Sequence, residues 1–307
     1  MKKLRLFGRV LKRTFNGFIE DNAFKLSASL SYYTIYAIGP LLLIIISLAG
    51  IFFGRQAVQG KIYGQIKDLV GSEAALQIQT IIQNISQTEH GTIGAIIGFV
   101  VLIIGATGVF TEIQDSINYI WSVKPKPKKG WLKFLMNRLI SFSLVVSMGF
   151  ILLVSLIINA LIEVMSDKLF RFFQNYTIYL FYVVNVLIIF VIISGLFAVI
   201  FKVLPDAKIQ WKEAMIGAGF TSLLFLLGKL AIGYYLGRSE MGITFGAAAS
   251  IVIILSWVYY SSLILYFGAE FTKYYAIETG KAIVPNETAV FVIKSEAKEV
   301  PESYLDT

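Results

Sequence analysis

The chain has 307 residues, of which 57% are hydrophobic and 15% charged, with a mean hydropathy of +0.74. Soluble domains carry roughly a quarter charged residues, so this balance excludes an ordinary water-soluble domain and points to a chain that lives in lipid. Cysteine is absent, which removes disulfides and thiolate metal sites, and the formal net charge of +8 leaves anionic lipid or nucleic acid to be weighed as a partner.

The chain opens with a basic segment, residues 1–25. Leu4, Phe7, Val10, Leu11, Phe15 and Phe18 recur there at helical spacing with cations between them. That pattern predicts an amphipathic helix over 1–22 lying in the plane of a membrane interface. The apolar run that follows is too long for the hydrophobic region of a signal peptide, so it reads as an uncleaved first span.

Six apolar stretches occupy about 26–53, 91–110, 139–162, 178–203, 214–236 and 245–269. Each is long enough to cross a bilayer, which takes roughly 20 apolar residues in a helix. In lipid every backbone N–H and C=O needs an internal partner, so only helices or a closed barrel can span. Continuous apolar runs exclude alternating barrel strands. The expected fold is therefore all-α, a polytopic membrane bundle of six transmembrane helices over 26–272. A cytoplasmic tail over 273–307, mixing Lys, Glu, Pro and Ser, is expected to be largely disordered.

The connecting segments alternate in positive charge. Lys2, Lys3, Arg5, Arg9, Lys12, Arg13 and Lys25 precede the first span. Lys124, Lys126, Lys128, Lys129, Lys133 and Arg138 follow the second, Lys202, Lys208 and Lys212 flank the end of the fourth, and Lys273, Lys281, Lys294 and Lys298 follow the sixth. The other side holds only Arg55, Lys61, Lys67, Lys168, Arg171 and Arg238. The positive-inside rule then puts both termini in the cytoplasm. The cations read as topology signals and contacts for anionic lipid headgroups. Nucleic acid is not expected, because no aromatic or motif context accompanies them.

Residues 54–90 form the one sizeable external loop. Ile62, Ile66, Leu69 and Val70 make one apolar stripe, and Ile78, Ile81, Ile82 and Ile85 a second. Two short amphipathic helices are expected, the second with Ser72 as N-cap. His90, the single histidine, reads as a solvated loop residue. The Lys-Pro repeat at Lys124–Lys128 reads as a stiff linker. Leu204-Pro205-Asp206 ends span four.

The candidate site residues come from polar groups at membrane depth. Lys25, Ser29, Tyr32 and Tyr36 fall on one face of the inner half of span one. Pro40 removes a backbone donor and kinks the helix there. Such a half-helix either lines a wet cavity or bonds neighbouring helices through interfacial tyrosines. Glu112, Asp115 and Asn118 close span two, where they face an interior or cap the helix beside the interfacial anchor Trp121. Lys229, inside span five, either snorkels outward or meets an anion such as Glu163 or Glu240. Glu270 ends span six, and Lys25, Glu112, Asp115 and Glu270 are expected to converge at the inner ends of spans one, two and six. Asn185, Gly94 with Gly98, the Ala214, Ala218 and Ser222 repeat, and Gly246–Ser250 read as helix-packing features; a homo-oligomer is compatible with such faces.

There is no Walker A sequence and no GxSxG elbow. One histidine and no cysteine leave no zinc hydrolase site. No catalytic residue, metal or cofactor is expected, and the chain does not read as an enzyme.

Several segments together resemble the YihY/virulence factor BrkB family over about residues 10–275. They are Ser27-Ala28-Ser29-Leu30-Ser31-Tyr32-Tyr33 with Pro40-Leu41-Leu42, Ile117-Asn118-Tyr119-Ile120-Trp121, and Leu204-Pro205-Asp206 with Trp211. Phe245-Gly246-Ala247-Ala248-Ala249-Ser250, Trp257-Val258-Tyr259-Tyr260-Ser261-Ser262 and Gly268-Ala269-Glu270 complete the set. The family's usual Leu-Phe-Pro is here Ile38-Gly39-Pro40, which softens the kink. The resemblance implies a six-helix bacterial inner-membrane protein linked to export of lipid or lipopolysaccharide precursors, to ion efflux and to serum resistance. An older family label, ribonuclease BN, finds no support in these residues, which offer no metal constellation for phosphodiester hydrolysis.

Two functions follow as expectations. The first is a transporter or flippase-like exporter of an amphipathic or lipid-like solute, motivated by the polar face of span one, the three carboxylates and Lys229. The alternative is a non-transporting scaffold or envelope-assembly protein that docks partners on its basic face and outer loop.

Overall fold

The computed structural model describes residues 2–37, 72–86, 108–126, 177–238, 245, 248–281 and 283–294. Helix α1 covers Lys2–Glu20. Its apolar stripe is split between two surroundings. Val10, Thr14, Gly17 and Phe18 are buried, whereas Phe15 and Ile19 are exposed on the neighbouring face. The reason is a close approach at Gly17, where a Cβ would come within 2.8–2.9 Å of Tyr274 and Glu270 of the last helix.

Asn22 turns the chain with φ of 52°. Its carbonyl accepts from the Lys25 amide at 2.9 Å and opens helix α2, residues 23–37. The outer part of span one, with Pro40, lies outside the described residues. So do residues 54–71, His90, most of span two and all of span three. Helix α3 spans Ser72–Ser86, beginning at the serine expected to cap it.

Helix α4, residues 108–120, stops at Trp121-Ser122, where Ser122 takes φ of 57°. Helices α5 (Thr177–Val203), α6 (Trp211–Arg238) and α7 (Ala249–Glu278) correspond to spans four, five and six. These three are long and apolar enough to cross a membrane. At a rise of 1.5 Å per residue, α7 measures about 45 Å, which exceeds the ~30 Å hydrocarbon core. It therefore runs past the expected end at 269, and its final turns serve as the platform for α1. Gly280, at φ of 73°, ends it: Gly280 N donates to the Ile277 carbonyl at 3.1 Å and Lys281 N to the Ala276 carbonyl at 2.9 Å, the Schellman pattern.

The α6–α7 seam is built on reciprocal glycine–threonine contacts. A Cβ on Gly217 would overlap the Thr272 hydroxyl, and one on Gly268 would overlap that of Thr221. Each threonine hydroxyl donates to the carbonyl of the glycine on its own helix, Thr221 to Gly217 and Thr272 to Gly268, both at 2.7 Å. The hydroxyls are thereby satisfied without water, and each threonine packs directly on the bare backbone of the facing glycine, which lets the helices approach closely. Ala214, Ala218 and Ser222, the small residues expected to pack, are also fully buried. At the other end of the hairpin α3 lies against α6 and α7, and the Ser250 hydroxyl donates to Gln77 Oε1.

The tail expected to be largely disordered is ordered over 283–294. Strand β1 (Val123–Pro125) pairs antiparallel with β4 (Ala289–Phe291), and β2 (Ala207–Lys208) pairs with β3 (Val284–Pro285). The start of the Lys-Pro linker, Lys124-Pro125, is thus part of one strand of a ladder. Its polar composition hid the pairing, because the partner strand lies more than 150 residues away in sequence, as the register of Val123 with Phe291 records. The core beneath is formed by Ile117, Ile120, Trp121, Phe201, Leu204, Ala269 and Ala276.

Candidate functional site

At the α1 end of the molecule, three connections and the tail meet. The link from α5 to α6 is held by α4. Asn118 Nδ2 donates to Asp206 Oδ2 at 3.0 Å, and Asn118 Oδ1 accepts from the Asp206 amide at 2.8 Å. Gln114 Nε2 adds a bond to the same carboxylate oxygen at 3.3 Å. The Asp206 carbonyl in turn accepts from the tail amide of Asn286 at 2.9 Å. Trp121 Nε1 donates to the Ala269 carbonyl on α7 at 3.1 Å. Asn118, singled out from sequence, is therefore a buried bracket, and it joins two of the family-like segments.

Beside this bracket lies a buried ionic cluster drawn from three parts of the chain. Asp21, at the α1–α2 elbow, receives Lys294 of the tail at 2.5 Å and Lys273 of α7 at 3.4 Å. Lys273 also pairs with Glu270, one helical turn away, at 3.2 Å. Glu270 is 0% exposed, and its Oε1 has no hydrogen-bond partner among the described residues. Burying charges is costly unless they are paired, so the two lysines are what permit two carboxylates here. Lys294 also lies 4.1 Å over the Tyr119 ring. Burial holds its pKa below the ordinary lysine value, against the opposing pull of the Asp21 carboxylate. Arg9 and Arg13 both bridge to Glu278, at 3.4 and 3.1 Å, clamping α1 along the end of α7.

The other sequence candidates take varied positions. Lys25 is exposed, next to the elbow but outside the cluster's ion pairs. Ser29 is half-buried. Tyr32 and Tyr36 are 59% and 56% exposed; the Tyr36 hydroxyl donates to that of Tyr32 at 3.2 Å, and their rings pack edge to face at 5.1 Å. Glu112 is half-buried and Asp115 exposed on α4; Lys229 is half-buried within α6. The ion pairs of Glu270 and Asp21 run through Lys273 and Lys294, none of which except Glu270 was singled out from sequence for this role. A signal did exist: Asp21-Asn22 breaks the helical period between two amphipathic stretches, and Lys273 stands three residues after Glu270.

A family model described as virulence factor BrkB matches residues 14–289. Curated relatives carry the name UPF0761 membrane protein. That of Saccharophagus degradans is 25% identical over 278 residues, covering 88% of this chain. One from Vibrio vulnificus is 24% identical over 79% of this chain and 74% of its own length. One from Verminephrobacter eiseniae is 26% identical over 81% of this chain. The chain spans 59% of the first relative's length and 57% of the third's. No solved structure matches. Among the described residues no His, Cys, Asp and Glu group could hold a metal ion.

Proposed function

Because the chain belongs to the virulence factor BrkB family of membrane proteins, we propose that it moves an amphipathic or lipid-like solute across a bacterial inner membrane, with both termini in the cytoplasm. The observation that carries this reading is Glu270: a carboxylate with no exposure, one oxygen unpartnered among the described residues, inside a helix long enough to span. Glu270 stands where span six leaves the bilayer, and a buried carboxylate with a spare oxygen at the mouth of a span is a place to receive a solute or ion. The exposed Tyr32–Tyr36 pair on α2 adds a polar face on which an amphipathic solute can rest.

The test is flux in vesicles of purified protein. Glu270→Gln, Glu112→Gln, Asp115→Asn and Lys229→Met are each expected to lower the flux while leaving insertion intact. Normal flux in all four variants removes the roles assigned to them. The reading as a non-transporting scaffold draws on the ordered surface formed by β1 to β4, which presents Phe291 and Ile293 outward. Partner capture that depends on this surface, with no flux in vesicles, selects that reading instead.

A further inference from the structure

Alongside the seam, where α1 and α2 meet the α6–α7 hairpin, lies an apolar groove of about 440 Å³ that opens sideways. Phe18 of α1 and Phe24 of α2 wall one end, in edge-to-face contact at 5.3 Å, and Phe18 packs on Phe267 of α7 at 5.5 Å. Leu227 and Gly228 of α6, with Tyr260 and Ile264 of α7, form the rest. Gly228 is needed for the floor, since a Cβ there would meet Ile264 and Tyr260 at 2.6–2.8 Å.

The groove has a direction. Along α6 its lining runs from Leu224 to Ala231, about 10 Å of helix axis at 1.5 Å per residue. It starts at the elbow that joins the basic helix α1 to α2 and runs toward the middle of two spanning helices. An acyl chain in the leaflet on the α1 side lies along that same direction, with its headgroup level at the elbow. The cations there are not all spent. Arg9 and Arg13 are paired with Glu278, and Lys273 and Lys294 with Asp21. Lys12 and Lys25 are exposed, with no carboxylate partner among the described residues, and Lys25 directly follows the groove-wall residue Phe24.

We infer that this groove seats one acyl chain of an anionic phospholipid from the leaflet on the α1 side, with the phosphate at Lys25. The inference rests on the chain being a membrane protein and does not require transport. An apolar floor matches the chain, and an exposed cation at one end matches the phosphate. Each Lys near such a surface favours an anionic headgroup by about fivefold.

The experiment places p-benzoylphenylalanine at Leu227, which is 57% exposed and lines the groove, or at Leu230, which is 70% exposed on the same helix but outside it. Full-length protein is reconstituted in vesicles of equal parts phosphatidylglycerol and phosphatidylcholine, irradiated, and its adducts are weighed by mass spectrometry. Both positions are expected to capture lipid. Only Leu227→p-benzoylphenylalanine is expected to enrich phosphatidylglycerol, by about fivefold, and Lys25→Gln is expected to bring that ratio to the level seen at Leu230. Capture of this chain's own peptides at position 227, or equal capture of the two lipids there, overturns the proposal. No flux from the unsubstituted protein in the transport assay, with the enrichment intact, overturns the transport reading alone.

Discussion

Asn118 grips Asp206 at two points, donating to its carboxylate at 3.0 Å and accepting from its amide at 2.8 Å. The two residues are 88 positions apart. One closes α4 and the other sits in the link between α5 and α6. The bracket fixes where that link crosses the end of the bundle, and so where β2 can receive β3.

Asn118→Ala removes both bonds, taking the partner from the Asp206 amide and leaving the Asp206 carboxylate with the longer Gln114 bond. The expected loss is about 1–3 kcal/mol. It is read as a lower unfolding temperature in detergent. Asn118→Asp is expected to be worse, because it sets a carboxylate against the Asp206 carboxylate. A wild-type melting temperature in both variants contradicts the role given to the bracket.

The reciprocal seam makes a sharper demand. Gly217→Ala drives a methyl group into the Thr272 hydroxyl. Overpacking of this kind costs about 1–3 kcal/mol. Thr272→Ala in the same chain removes the hydroxyl that makes the worst overlap and leaves only the Cβ contact at 2.8 Å, so the double variant is expected to melt above Gly217→Ala alone, with partial rescue. Failure of this rescue places the damage elsewhere.

In the ionic cluster, Asp21 answers two lysines. Asp21→Asn is therefore expected to cost more than Lys294→Met, which leaves Asp21 paired with Lys273. The Asp21 loss is expected to reach up to about 3 kcal/mol, below that of a fully buried pair because both lysine side chains keep some exposure. The pH response of Lys294 has a definite sign. Its pKa is lowered on folding, so the folded chain binds fewer protons than the unfolded one just below the ordinary lysine value. Its contribution to stability rises as pH climbs through that window. Comparing wild type with Lys294→Met across alkaline pH isolates this share; no difference in slope contradicts it.

Much of this architecture was legible in the sequence because lipid simplifies the rules. A run such as 178–203 must be a helix, and α5 occupies Thr177–Val203. The basic amphipathic start and the Ser72 boundary follow from the same periodicity. What escaped was long-range and polar. Val123–Pro125 and Ala289–Phe291 carry no strand signature in runs so short, and only their mutual pairing creates one. Lys273 and Lys294 read as two more cytoplasmic cations, since nothing local shows that Asp21 waits between them. The split face of α1 was hidden likewise: Val10 and Phe15 look alike in a hydropathy pattern, and only contact with α7 separates them.

The roles given to Asp21, Lys273, Lys294 and Glu270 depend most on which side of the membrane holds the ionic cluster and the strands β1 to β4. The absence of cysteine makes single-cysteine reporters clean. Ile293→Cys marks the tail, where Ile293 is 96% exposed, and Ser72→Cys marks the exposed start of α3. Intact cells are treated with a membrane-impermeant maleimide before and after disruption. Labelling of Ser72→Cys in intact cells, and of Ile293→Cys only after disruption, is the predicted result. Labelling of Ile293→Cys in intact cells contradicts it, and the cytoplasmic placement of Asp21, Lys273, Lys294 and Glu270 falls with it.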